Sequence, residues 1–296
     1  MRTFAALALL AACTTPITNT EQQDIIGGAR STGMTATVLL AGYPPNKSVL
    51  TTCTAVLVSP TVLLTSAHCI DAPNHPNYLF GIFTGDDAAP YSTLAALEPH
   101  LLPVASVHPH PAYVTTVPFY ADLGVVVLAS PVTTNAPLPM RRTPLDASIV
   151  GKTAQIVGYG QTTYQQPNQT RYEATTTVAR IEDDTVVVGD TTKRGCLGDS
   201  GGPAVVEGVL IGIDSYGPTG CGDAAHYRRV DSFLPFIDQY APPPASPDAG
   251  PSMGNPDAGT EEPGGGDGGG CSAGGNGGLG IGIGLALLAL RRRRVR

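Results

Sequence analysis

The stretch Gly195–Pro203 reads GCLGDSGGP. A serine hydroxyl acts as a nucleophile only where the chain turns sharply enough to present Oγ and to aim neighbouring N–H groups at one point. Gly198 precedes Ser200, and Gly201 and Gly202 follow it. Glycine has no Cβ to clash in such a turn. The N–H groups of Gly198 and Ser200 are therefore candidates for an oxyanion hole, where losing one donor typically costs roughly 10²–10³ in rate. A glycine-rich turn is by itself usually only a turn. Two further stretches carry groups that could assist it: TSAHC (Thr65–Cys69) sets His68 directly after an apolar run, and DLGVVVL (Asp122–Leu128) sets Asp122 at the start of one.

The elements that position these groups read as short strands. TAVLVS (Thr54–Ser59), TVLLTS (Thr61–Ser66), LGVVVLA (Leu123–Ala129), TAQIVGYG (Thr153–Gly160) and GVLIGI (Gly208–Ile213) are rich in Val, Ile, Leu and Thr, and Gly, Pro, Asn and Asp break them at short intervals. That pattern predicts an all-β sandwich or barrel over Ile25–Tyr240. FLPFIDQY (Phe233–Tyr240) has helical spacing and is expected to close the domain.

Six cysteines are present: Cys13, Cys53, Cys69, Cys196, Cys221 and Cys271. Cys13 and Cys271 fall in the terminal segments. The other four allow three pairings, and spacing alone does not choose among them. A metal site is the alternative, but no Cys-x-x-Cys or histidine spacing supports one, so neither metal nor cofactor is expected.

His68, Asp122 and Ser200, in that order and in those contexts, resemble the chymotrypsin/trypsin family of serine peptidases. IIGG (Ile25–Gly28) is similar to that family's mature N-terminus, DSYG (Asp214–Gly217) to its substrate-pairing strand and HYRRV (His226–Val230) to the strand behind its specificity pocket. The resemblance spans residues 25–240. It implies an all-β fold of two six-stranded antiparallel β-barrels with a short C-terminal helix and the active site in the cleft. It implies that His68 takes the Ser200 proton and passes it to the leaving amine, while Asp122 holds the imidazole tautomer and stabilises its cation. It also selects the disulfides Cys53–Cys69, bracing the His68 turn, and Cys196–Cys221, bracing the pocket walls.

The same resemblance gives Asp199 a second role. Cleavage after Asp24 would free the Ile25 ammonium to pair with Asp199 and order the oxyanion hole, so the protein is expected as a zymogen. Members of the family are commonly cut after Arg or Lys, and Asp24 departs from that. The pocket residues implied are Arg194, Ser215, Tyr216, Gly217 and Ala225. Arg194 falls where trypsin-like members carry Asp, so cleavage after Arg or Lys is not expected. Either Arg194 points inward and favours an acidic P1 side chain through a bidentate contact, or it swings to solvent and leaves a pocket for small or apolar side chains. An acidic preference would suit self-cleavage after Asp24. Ala225 stands at a lining position that is often Gly and narrows the pocket. His75, His100, His108, His110 and His226 are expected to be loop or packing residues.

The terminal segments concern location. Residues 1–24 hold an export signal, Arg2 followed by the apolar run Phe4–Ala12, and a short propeptide. Leu10–Cys13 also resembles a bacterial lipoprotein box, with Cys13 as the lipidated residue. Residues 241–278 are mostly Pro, Gly, Ser, Asp and Ala, a linker composition. Residues 279–296 are the run LGIGIGLALLAL followed by RRRRVR. The order of Cys271, a glycine-rich apolar run and an arginine cluster resembles the myxobacterial-type C-terminal sorting tail; a plain membrane anchor is the alternative. The formal net charge is -7, with no basic cluster in the central region, so no nucleic-acid partner is expected. The expected partners are protein or peptide substrates, with membrane contact through the tail and an N-terminal lipid. The expected state is an exported monomer, at the cell surface or extracellular, with a bacterial envelope as the expected setting. A catalytically silent protein that uses the fold for binding, and an adhesive surface protein, are the competing readings.

Overall fold

A computed structural model describes residues 25–116, 119–161 and 168–243. The export signal and propeptide, the linker beyond 243, the arginine-rich tail, Cys13 and Cys271 lie outside the described residues.

The valine- and threonine-rich runs form thirteen strands among the described residues. The first is β1 (Ala29–Arg30). A first group follows as β2 (Thr37–Tyr43), β3 (Thr51–Ser59), β4 (Val62–Thr65), β5 (Leu79–Phe83), β6 (Leu102–Pro109) and β7 (Gly124–Leu128). These close into an antiparallel barrel in the order β2-β3-β4-β7-β6-β5. A second group comprises β8 (Thr153–Gly158), β9 (Tyr172–Ile181), β10 (Thr185–Val188), β11 (Pro203–Val206), β12 (Val209–Tyr216) and β13 (Ala225–Arg229). Its strands run β9-β10-β13-β12-β11-β8, and β8 pairs back onto β9 to close a second six-stranded barrel, with β1 added at the edge of β9.

Closure explains the composition. A barrel has no free edge strand, and its interior takes every second residue of each strand. Val38, Leu40, Val56, Leu64 and Val125 fill the first barrel, and Ile156, Val186, Val188 and Ile211 the second. Each such side chain stabilises by roughly 1.5–3 kcal/mol on full burial. Between the barrels, the buried Arg171 donates to the Thr37 carbonyl oxygen at 3.1 Å and to the Tyr159 hydroxyl at 3.3 Å. Tyr159 in turn donates to the Gly85 carbonyl oxygen at 2.5 Å.

The closing helix is shorter than its spacing suggests. A 3₁₀ turn (Val230–Ser232) leads into one α-helical turn, Leu234–Ile237. Pro235 fits only in the first helical turn, where its missing N–H is not needed. Phe233, Phe236 and Ile237 pack onto the first barrel's core.

Candidate active site

Each barrel contributes one side of a cleft. The chain leaves β4 into a 3₁₀ turn, Ala67–Cys69, and His68 is its middle residue. The turn is fixed by the disulfide from Cys69 to Cys53 on β3. Asp122 lies two residues before β7, after Ala121 at φ +48°. A left-handed non-glycine residue is uncommon and clusters at functional sites. Here it precedes the inward turn of Asp122, whose exposure is 0 %.

The Asp122 carboxylate is fully engaged. Oδ1 accepts from the His68 backbone N–H at 2.9 Å, and Oδ2 lies 2.8 Å from His68 Nδ1. Oδ2 also accepts from the Ser215 hydroxyl at 2.6 Å. Two contacts to one histidine hold both ring position and ring orientation. They favour the tautomer with its proton on Nδ1, which leaves Nε2 as a base. Phe119 stacks on the imidazole at a centroid distance of 5.4 Å, and Tyr216 meets Phe119 edge-on at 6.3 Å.

Ser200 lies in the loop before β11, in the same cavity as His68. The loop is held from three sides. Cys196 is bonded to Cys221. Thr54, on the other barrel, donates its backbone N–H to the Ser200 carbonyl oxygen at 2.9 Å and its hydroxyl to the Gly198 carbonyl oxygen at 3.0 Å. The Asp214 backbone on β12 accepts from the Gly201 N–H and donates to the Gly202 carbonyl oxygen, both at 2.8 Å. Gly201, at φ +86°, is a required glycine: a Cβ there would stand 2.0 Å from the Thr54 carbonyl oxygen. With Gly198 at φ +96°, its N–H and that of Ser200 have no protein acceptor among the described residues. The Asp199 N–H between them turns the other way, to the Cys196 carbonyl.

Asp199 is buried. Its carboxylate accepts from the Gly160 N–H at 2.9 Å and the Cys196 N–H at 2.8 Å. A Cβ on Gly158 would fall 2.0 Å from Asp199 Oδ1, so that glycine makes the room. Ile25 is buried in the second barrel's core, and Ile26 pairs with Arg194.

The cleft is a cavity of about 610 Å³. Ser215, Tyr216, Gly217 and Ala225 line it, with the Cys196–Cys221 disulfide. Arg194 does not. Its Nε donates to the Cys221 carbonyl oxygen and its Nη1 to the Thr191 carbonyl oxygen, so the guanidinium is turned into the backbone behind the pocket wall. The inward, acid-selecting pose is therefore not adopted, and the alternative pose is bonded to the protein itself. His226 stacks flat on Tyr216 at 4.4 Å, and burial holds its pKa below the ordinary histidine range. His75, His108, His100 and His110 likewise pack against aromatic rings.

Asp214, the first residue of the DSYG stretch, carries a buried carboxyl, 5 % exposed, at the cavity. Burial, reinforced by the negative charges of Asp199 and Asp122, pushes its carboxyl well above the ordinary carboxylate range. A folded-state pKa above the unfolded value means that the contribution of the group to stability is fully present below the unfolded pKa and is lost as pH rises through the folded one. Asp214→Asn is therefore expected to raise Tm near neutral pH, with the gain closing toward zero as the pH falls to about 4. Thermal melts of both proteins across that range check it; a gain that persists unchanged at low pH would contradict the assignment.

Comparisons with known proteins agree with this geometry. The Trypsin family profile matches residues 26–237. A trypsin from Phaedon cochleariae is 29 % identical over 209 residues, covering 63 % of this chain and 78 % of the relative. Kallikrein 1-related peptidase b27 from Mus musculus is 29 % identical over 223 residues, covering 68 % and 82 %. Among solved structures, mouse neuropsin, described as a serine protease expressed in the limbic system, superimposes with a TM-score of 0.57 at 23 % identity over 72 % of this chain and 97 % of its own. The likeness to that structure is one of fold. With its two closed barrels, its paired cysteines and a match across the whole barrel region, the chain belongs to the trypsin family and is a serine endopeptidase.

Proposed function

We propose that the protein hydrolyses internal peptide bonds through an acyl-enzyme on Ser200, with His68 as the base and Asp122 as the orienting carboxylate. The observation that carries this reading is the double grip of the buried Asp122 on His68, 2.9 and 2.8 Å, in the cavity that also holds Ser200. His68 Nε2 takes the Ser200 proton as Oγ attacks the scissile carbonyl carbon. The N–H groups of Gly198 and Ser200 receive the oxyanion. Collapse breaks the C–N bond, and the amine leaves with the proton from His68. Water, deprotonated by the same imidazole, then releases the acid and restores Ser200.

The enzyme is made as an exported zymogen. Cleavage after Asp24 frees the Ile25 ammonium, which pairs with the buried Asp199 and orders the Gly198–Ser200 segment. The φ of Ile25, +39°, supports this, because a β-branched residue is strained there and cutting the preceding bond removes the constraint. Two disulfides suit an oxidising compartment. The C-terminal tail tethers the protein to an envelope membrane, and a lipid on Cys13 holds only the zymogen, because cleavage after Asp24 removes that residue with the propeptide.

A fluorophosphonate probe tests the central claim. Protein with a mature N-terminus at Ile25 should label stoichiometrically at Ser200, and Ser200→Ala should not label. Failure of the mature protein to label would instead favour a silent binding protein built on the same fold.

A further inference from the structure

We propose that the Asp214 carboxylate is the charge-selecting group of the substrate pocket, and that the enzyme cleaves after Lys or Arg. This rests on the reading of Ser200 as nucleophile and adds the substrate class.

The placement is geometric. Asp214 sits on β12 just before Ser215, and its Oδ2 lies 2.5 Å from the point a Cβ on Gly195 would occupy. The Tyr227 hydroxyl lies 3.4 Å from that same point. Gly195, Asp214 and Ala225 all line the cavity that holds Ser200. The missing side chain at 195 is what leaves the carboxylate room on the pocket wall. A larger residue there would collide with it.

The charge balance then selects the guest. Among the described residues, no Lys, Arg or His forms an ion pair with Asp214. Arg194 does not line the cavity and is bonded to the backbone carbonyls of Cys221 and Thr191, and Arg228 on β13 pairs with Asp184. The charged groups that bear on Asp214 are Asp199 from the nucleophile loop, which the Ile25 ammonium offsets in the mature enzyme, and Asp122 ahead of β7; Tyr227 from β13 is neutral, its hydroxyl pushed well up by burial and by Asp214 and Asp199. A buried carboxylate without a countercharge is unfavourable. An ammonium or guanidinium at the end of a P1 side chain supplies the missing charge, whereas an acidic side chain would set a second negative group against Asp214. Asp24 is then a poor P1 residue for this pocket, so activation after Asp24 requires a different peptidase.

The pairing also imposes a pH dependence. Below the pKa of Asp214 the empty pocket is neutral and discriminates little; above it, preference for a cation grows. The ratio of kcat/KM for matched P1-Lys and P1-norleucine peptides isolates this, because any pH effect on the shared chemical steps enters both values and cancels.

The experiment uses mature enzyme, with active sites counted by fluorophosphonate. The Lys-to-norleucine ratio is expected to be roughly 10–100, the range of a charge-assisted hydrogen bond. It should rise with pH, and it should fall toward 1 and lose its pH dependence in Asp214→Asn. A second measurement needs no catalysis: fluorescence titration of Ser200→Ala with p-aminobenzamidine should show saturable binding, weakened at least about tenfold when Asp214→Asn is added. If Ser200 does not label but the amidine binds through Asp214, the pocket assignment stands and the catalytic reading falls. If Ser200 labels but the enzyme prefers acidic or neutral P1 residues, or Asp214→Asn leaves the ratio unchanged, the proposal is overturned.

Discussion

Ser200→Ala is expected to lower kcat on a peptide substrate by about 10⁶-fold, the loss known for the same triad on an unrelated fold. The reason is chemical. Alanine removes the atom that forms the acyl-enzyme in the proposed mechanism, and His68 then has no Ser200 hydroxyl to deprotonate. KM should change little, because the cavity lining at Ser215–Gly217 and the rest of the wall are untouched. The fold should hold, since the loop is anchored through backbone groups: the Ser200 carbonyl to Thr54, and Gly201 and Gly202 to Asp214. Residual hydrolysis of roughly 10³–10⁴ over water would survive from the oxyanion hole and binding. Burst and steady-state assays on the mature variant check this. Retention of even a hundredth of the activity would place the nucleophile elsewhere.

Asp122→Asn is expected to cost about 10⁴ in kcat near neutral pH, the factor known for the same change in a Ser-His-Asp triad. Three donors converge on the Asp122 carboxylate, and an amide has one oxygen to meet them. Its NH₂ group must then face one of these donors. If it faces His68 Nδ1, that nitrogen becomes an acceptor and the ring proton moves to Nε2. His68 can then no longer take the Ser200 proton. Asparagine is nearly the size of aspartate, so packing around the buried site is kept and Tm should move by only a few degrees. The diagnostic is the joint result: slow acylation and slow fluorophosphonate labelling, with p-aminobenzamidine binding preserved. Unchanged labelling would show that the 2.8 Å contact orients nothing.

The two substitutions act on different links. In the proposed mechanism Ser200 supplies the bond-forming atom, and Asp122 acts through His68 from a buried position that the barrel holds away from water. Cys53–Cys69 belongs to the second class, tying the His68 turn to β3.

Much of this is legible in short runs of residues. Runs of Val, Ile, Leu and Thr between turn residues mark strands, and the Gly-rich stretch around Ser200 marks a turn because only glycine enters it without strain. The order of TSAHC, DLGVVVL and GCLGDSGGP carries the family, and through it the barrels and the cysteine pairs seen at Cys53–Cys69 and Cys196–Cys221. The C-terminal helix falls short of its sequence pattern, because apolar spacing at Phe233, Phe236 and Ile237 records burial against the first barrel rather than helix length.

The pocket is not legible in this way. Arg194 has a long flexible side chain, and its direction depends on carbonyls of Thr191 and Cys221, the second brought near by a disulfide that spans 25 residues of sequence. Asp214 stands in a strand whose register against β13 shifts between Asp214 and Tyr216. A bulge of that kind re-aims side chains without leaving a mark in the alternation of residue types. The residues of DSYG and KRG stand in plain view in the chain. Which of their charges enters the cavity is settled only by the closing of the second barrel, which brings Gly195, Asp214 and Tyr227 from three separate segments to one point.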